Sequence, residues 1–245
     1  SVGSAFYRLA WAPSMKSLRQ AAADRRRRII FNNDGNEPVL HMTEPTVQQL
    51  LDLRTTALVG TQADSIFYCP WSSGFGLFTY FTAVGQVFTT TEGYYASNLM
   101  PALLQTGIDP LRVMVDFGRQ QGIEVFCSFR MNDTHDGSTS SYGPVLLAAN
   151  TLKLAHPEYL IGTSSDKPTY GAWTAVDYAR PEICELAFRF AEEVCTNYDV
   201  DGIELDFFRH PVFFKSTGAG ALATVAERAA MTQLMQRIRA MADEV

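Results

Sequence analysis

Four short apolar runs punctuate this chain, and a helix-like segment follows each of them. The runs are Arg28–Phe31, Ser65–Cys69, Ile123–Phe129 and Ile203–Phe208; the predicted helices are Thr43–Arg54, Pro110–Gln121, Pro181–Thr196 and Leu222–Val245. Strands alternating with helices imply a parallel sheet with right-handed crossovers. An open doubly wound sheet and a (β/α)8 barrel both satisfy that order. The barrel is favoured because polar clusters recur where the strands end: Asn32–Asp34, Tyr68–Ser72, Arg130–Asp136 and Asp206–His210. Barrel active sites are assembled on that face. No GxGxxG follows the first run, which argues against a dinucleotide site.

Length then limits the reading. A complete barrel has eight such units in typically about 250 residues, whereas this chain spends its 245 residues on four. The expected fold class is therefore α/β, of (β/α)8 TIM-barrel type, with the chain covering only the N-terminal half. Residues 1–28 read as an N-terminal extension with a helical piece at Met15–Asp24, and residues 29–245 as the barrel part. A half-barrel exposes an apolar edge, so it is expected to pair with a missing C-terminal half or with another chain.

The last run carries the chemistry. Residues two apart on a strand share a face, so Glu204 and Asp206 point the same way from an otherwise apolar strand. Unpaired buried charge costs several kcal/mol; these acids need partners, protons or a task. Asp206, nearer the strand's end and expected to be partly desolvated by Phe207 and Phe208, is the predicted catalytic acid. Glu204, one pleat deeper, is expected to pair with Arg130 and orient Asp206. Asn32, Asp34, Asn132, Asp133, His135, Arg209 and His210 lie in the polar exits and suit hydrogen bonding to a hydroxyl-rich ligand. Trp71 and Trp173, in the two long loops, offer apolar faces on which such a ligand can stack, and Phe75, Tyr94 and Tyr95 could do the same. Loops of that length inside a compact domain are usually functional.

The run Tyr198–Pro211 resembles the fourth-strand segment of bacterial glycosyl-hydrolase-like barrels of the family 10-like kind, and more distantly the DGxDxDxE strand of family 18 chitinases. Arg130–Asp133, Asp177–Tyr178 and Pro181–Glu182 extend the resemblance, which spans about residues 28–245. It implies a (β/α)8 barrel that hydrolyses glycosidic bonds in a poly- or oligosaccharide. Asp201, Glu204 and Asp206 fall on the first three acidic positions of the chitinase pattern, with Glu at the second. The terminal acid falls on Phe208, so the proton donor of that family is not carried over. The second carboxylate of a barrel glycosidase would lie beyond Val245.

Other classes fare less well. A net charge of -6 argues against a nucleic-acid surface. The cluster Arg25–Arg28 reads as a solvated run or a strand-edge gatekeeper. No apolar run is long enough to span a bilayer. Ser1–Ala23 lacks a leader profile, and a secreted or periplasmic location would require a leader already removed. The four cysteines have neither CxxC nor metal spacing and read as buried thiols. Ser72 and Ser128 lack the GxSxG setting of a nucleophile elbow. No cofactor and no defined metal site is expected. Two alternatives stay open: a non-catalytic carbohydrate-binding barrel, and a metal-dependent barrel hydrolase or deacetylase using Asp34, Asp133 and His135.

Overall fold

The computed structural model describes residues 25–71 and 73–245, together with Ser17 and Ala23. The predicted helical piece at Met15–Asp24 and the loop residue Ser72 otherwise lie outside the described residues. Six strands follow in chain order: β1 (Ile30–Asn33), β2 (Ser65–Tyr68), β3 (Leu77–Phe78), β4 (Gln86–Val87), β5 (Glu124–Arg130) and β6 (Gly202–Asp206). β1, β2, β5 and β6 form one parallel sheet in sequential order, while β3 and β4 make a small separate pair. A doubly wound sheet reverses its strand order at a switch point. Here there is no reversal, and the fold is a partial (β/α) barrel.

Pleat alternation divides the sheet into two unequal faces. Ile66, Tyr68, Val125, Cys127 and Phe129 pack with Leu111, Met114, Phe117, Phe190 and Val194 from the helices Pro110–Gln121 and Pro181–Asn197. Leu234, Ile238 and Met241 of the helix Val225–Glu244 join the same core. Gly118 lets the first of these helices lie against β5, because a Cβ there would collide with Val125 and the Ile123 carbonyl. The opposite face presents Phe67, Phe126, Ser128, Arg130, Glu204 and Asp206 in register. Phe67 stacks on Phe126 at 4.7 Å between centroids. On the same face at the β1 edge Ile30 is 45% exposed, so this inner face is left open where a closed barrel would fill it.

Several boundaries shift from the sequence reading. β1 begins two residues later than predicted, because the backbone N–H groups of Arg28 and Ile29 donate to Asp64 instead of entering the ladder. Asn32 and Asn33, predicted as a turn, are its last residues. The first helix is Val47–Asp52 with Thr46 as its cap, so Pro45 stands outside it. β6 ends at Asp206, which puts Phe207 and Phe208 beyond the sheet. The arginine cluster is not simply a solvated run: Arg27 forks onto Glu124 at 2.7 and 3.0 Å and lies 4.8 Å over the Phe126 ring. No disulfide joins Cys69, Cys127, Cys184 and Cys195. Among the described residues no helix is long and apolar enough to cross a membrane.

Candidate active site at the strand exits

Arg130 closes β5, and its in-register neighbour on β6 is Asp206. Its guanidinium reaches Asp34, just beyond β1, at 2.5 Å and Asp133 at 3.6 Å. Burial opposes its charge, but Cys69, Asp133, Asp34 and Asp206 around it more than offset that and raise its pKa. Exits of three strands thus meet at one cation.

Asp133 is fully buried. Its Oδ1 accepts from the backbone N–H groups of Gly74 and His135, each at 2.9 Å, and its Oδ2 lies 2.7 Å from His135 Nδ1. Burial alone would raise its pKa; the His135 contact, Arg130 and the Gly74 amide outweigh burial and hold it well below the usual carboxylate range. A carboxylate only accepts, so His135 Nδ1 carries the proton. His135 Nε2 is then the acceptor for Arg209 Nη2 at 3.2 Å. His210 comes in from the β6 exit, its Nδ1 accepting from the Thr134 amide at 3.3 Å. Its ring meets that of His135 edge-on, 5.1 Å between centroids.

Beside this cluster lies a cavity of about 210 Å³, lined by Asp34, Asn36, Trp71, Ser73, Tyr94, Tyr95, Arg130, His135, Tyr142 and Arg209 among others. Its volume falls below the roughly 300–1,000 Å³ of drug-sized sites. Trp71 Nε1 and Asn36 Oδ1, polar atoms of two lining residues, are buried without protein hydrogen-bond partners. Trp71 and Phe75 hold positive φ angles of 50° and 52°, backbone strain concentrated in the loop that forms this wall. Larger grooves exist, including one of about 370 Å³ between β6 and the helix Val225–Glu244. That groove sits at the amino end of β6, away from the polar exits.

The remaining predicted residues divide. Asp206 Oδ1 caps the chain leaving β6 by accepting from the amides of Phe208 and Arg209 at 2.8 and 3.0 Å. Phe208 is 90% exposed and desolvates nothing. Glu204 does not pair with Arg130; its in-register neighbour Ser128 donates to it at 2.5 Å. Asn132 does not face sugar. It is buried, donating to the carbonyls of Val176 and Val212 and accepting from the Val176 amide, which ties the second long loop to the β6 exit. Trp173 packs beside the core and is not among the residues lining the cavity. Asn32 is exposed on the open inner face. Asp34 pairs with Arg130 and is not grouped with Asp133 and His135; His210 takes that place. Sequence reasoning missed Asn36 and Tyr142, which carry no motif.

No protein-family model and none of the curated proteins matches this chain. Solved structures do. An α-L-fucosidase, isoenzyme 2 from Paenibacillus thiaminolyticus, aligns over 90% of this chain and 31% of its own length at 15% identity and a TM-score of 0.52. The galactosidase domain of an α-galactosidase–sucrose kinase aligns over 92% and 28% at 13% identity and a TM-score of 0.50. A GH36 α-galactosidase from Geobacillus stearothermophilus aligns over 91% and 27%, also at 13% identity and 0.50. The chain spans about three-tenths of the length of these structures, and at such identities the likeness is one of fold: that of glycosidase barrels.

Proposed function

We propose that this chain is the amino-terminal part of a glycoside hydrolase that cleaves a poly- or oligosaccharide at the mouth of its barrel. The observation carrying this reading is the convergence of the β1, β5 and β6 exits on Arg130, beside a polar, aromatic-walled cavity. Glycoside hydrolysis needs two carboxyl groups flanking the bond. Asp206 supplies one, fixed through Oδ1 by two backbone amides. The other comes from the part of the barrel that follows β6, which also covers the open inner face. Arg130, Arg209, His135 and Trp71 contact the sugar; Glu204 and Asn132 support the strands and loops around it. The finer resemblance to family 10-like barrels and to the chitinase strand rests on Asp201, Glu204 and Asp206. Asp201 acts at the other end of β6, accepting from the Val125 amide at 2.8 Å.

The test is a panel of aryl glycosides and oligosaccharides, presented to the chain together with the remainder of its barrel. Turnover that Asp206→Asn abolishes while glycan binding persists supports the proposal. Binding without turnover in the parent protein would make it a carbohydrate-binding barrel instead.

A further inference from the structure

The geometry points to a divalent transition-metal site formed by Asp133, His135 and His210, one that goes beyond the glycosidase reading and does not depend on it. One ligand atom from each residue lies within 4.8 Å of the other two. Asp133 Oδ2 is 2.7 Å from His135 Nδ1 and 3.7 Å from His210 Nδ1. Metal–ligand bonds of about 2.0–2.2 Å place neighbouring ligand atoms about 2.8–3.6 Å apart, and the two observed separations bracket that range. Oδ1 of Asp133 is already held by two backbone amides, so Oδ2 is the oxygen presented to an ion.

The Thr134 amide donates to His210 Nδ1 at 3.3 Å. The single lone pair of that nitrogen would turn from this long bond to an ion, on the side where Asp133 Oδ2 lies 3.7 Å away. Two imidazoles and one carboxylate match zinc, cobalt, iron or nickel better than magnesium or calcium. Three protein ligands leave coordination positions for water or a sugar hydroxyl.

Binding shifts one proton without releasing it. The metal replaces hydrogen on His135 Nδ1, the proton moves to Nε2, and Arg209, which is exposed, turns away. The three ligands are spread over two strand exits, so an occupied site would also clamp the loop after β5 to the loop after β6.

The experiment strips the full chain with a chelator, dialyses it against Zn²⁺ or Co²⁺, and measures bound metal by elemental analysis and Co²⁺ absorption. Expected are one equivalent per chain and a switch of His135 from the Nδ1–H to the Nε2–H tautomer in ¹⁵N NMR. His210→Gln and His135→Gln should each weaken binding by about a hundredfold or more, at least the loss seen when a supporting partner is removed. His156→Gln, outside the cluster, should change nothing. Circular dichroism in chelator checks that each variant folds, and His210→Asp, which keeps a ligating oxygen, should retain metal if His210→Gln does not fold. A parent chain that takes up no metal, or equal affinity in folded His210→Gln, overturns the inference.

Discussion

Removing the Glu193 carboxylate tests how the long loop after β2 is held against the barrel. Glu193 lies on the helix Pro181–Asn197 and is 8% exposed. It accepts from Tyr80 Oη at 2.8 Å, Thr82 Oγ1 at 2.6 Å, and the amides of Ala83 and Val84 at 2.5 and 3.2 Å. A hydrogen bond to a charged group contributes roughly 1.5–3 kcal/mol, but four donors on one carboxylate do not add. In Glu193→Ala the half-buried donors regain water, whereas the fully buried Tyr80 hydroxyl does not. The expected loss is about 3–5 kcal/mol. Glu193→Gln keeps one carbonyl oxygen for the amides, and its NH₂ meets two hydroxyls that can rotate to accept. Its cost should be about 1–2 kcal/mol. In a Tyr80→Phe background the alanine change should cost about 1–2 kcal/mol less, which is the coupling energy of the pair. Urea unfolding followed by circular dichroism measures all five proteins: the parent, the three single variants and the double variant. A loss under about 1 kcal/mol for Glu193→Ala, or equal losses for Gln and Ala, would refute the argument.

Four further outcomes are expected. Glu37 is fully buried, neither carboxylate oxygen has a hydrogen-bond partner, and Arg54 comes no nearer than 3.7 Å. Burial raises its folded pKa above 4.5, so its stability contribution is fully present below pH 4.5 and is lost as pH rises through the folded value. Glu37→Gln should therefore melt higher than the parent at pH 7–8, with the gap closing near pH 4; no gap at pH 8 would contradict this. Asn132→Ala orphans the Val176 and Val212 backbone groups and should cost about 2–4 kcal/mol in the same unfolding assay. Asp206→Asn should lower turnover of a cleaved glycan by about 10²–10⁴-fold, with the dissociation constant measured by calorimetry unchanged. Trp71→Phe removes the indole from the cavity wall and should weaken glycan binding about tenfold through lost aromatic contact.

The legible parts of this chain were those with local signals. The helix predicted over Pro110–Gln121 keeps both ends in the structure, with the proline in its first turn and Gly122 after it as a left-handed residue at φ 67°, and Asp109 adds the cap. The alternation of strands and helices was likewise enough to give the sheet's parallel order. Side-chain partnerships were harder, because they depend on register. Nothing local in Glu204 says that its neighbour is Ser128 and not Arg130; a shift of one pleat decides it. His210 meets Asp133 across a separation of 77 residues, and Glu193 meets Tyr80 across 113. Asn132 looked like a sugar ligand because it follows a strand, yet two distant loops consume its hydrogen bonds. The start of β1 shifted for a similar reason: Asp64, far along the chain, captures the amides that would have begun the ladder.

The central claim is that a sugar sits at the strand exits against Trp71. The chain has three tryptophans, and Trp71→Phe assigns its indole N–H signal in a proton–nitrogen spectrum. Titration with an oligosaccharide that the protein binds should move the Trp71 signal and leave that of Trp173, which packs beside the core, in place. Movement of Trp173 with Trp71 still, or no movement of Trp71 at saturation, would contradict the account.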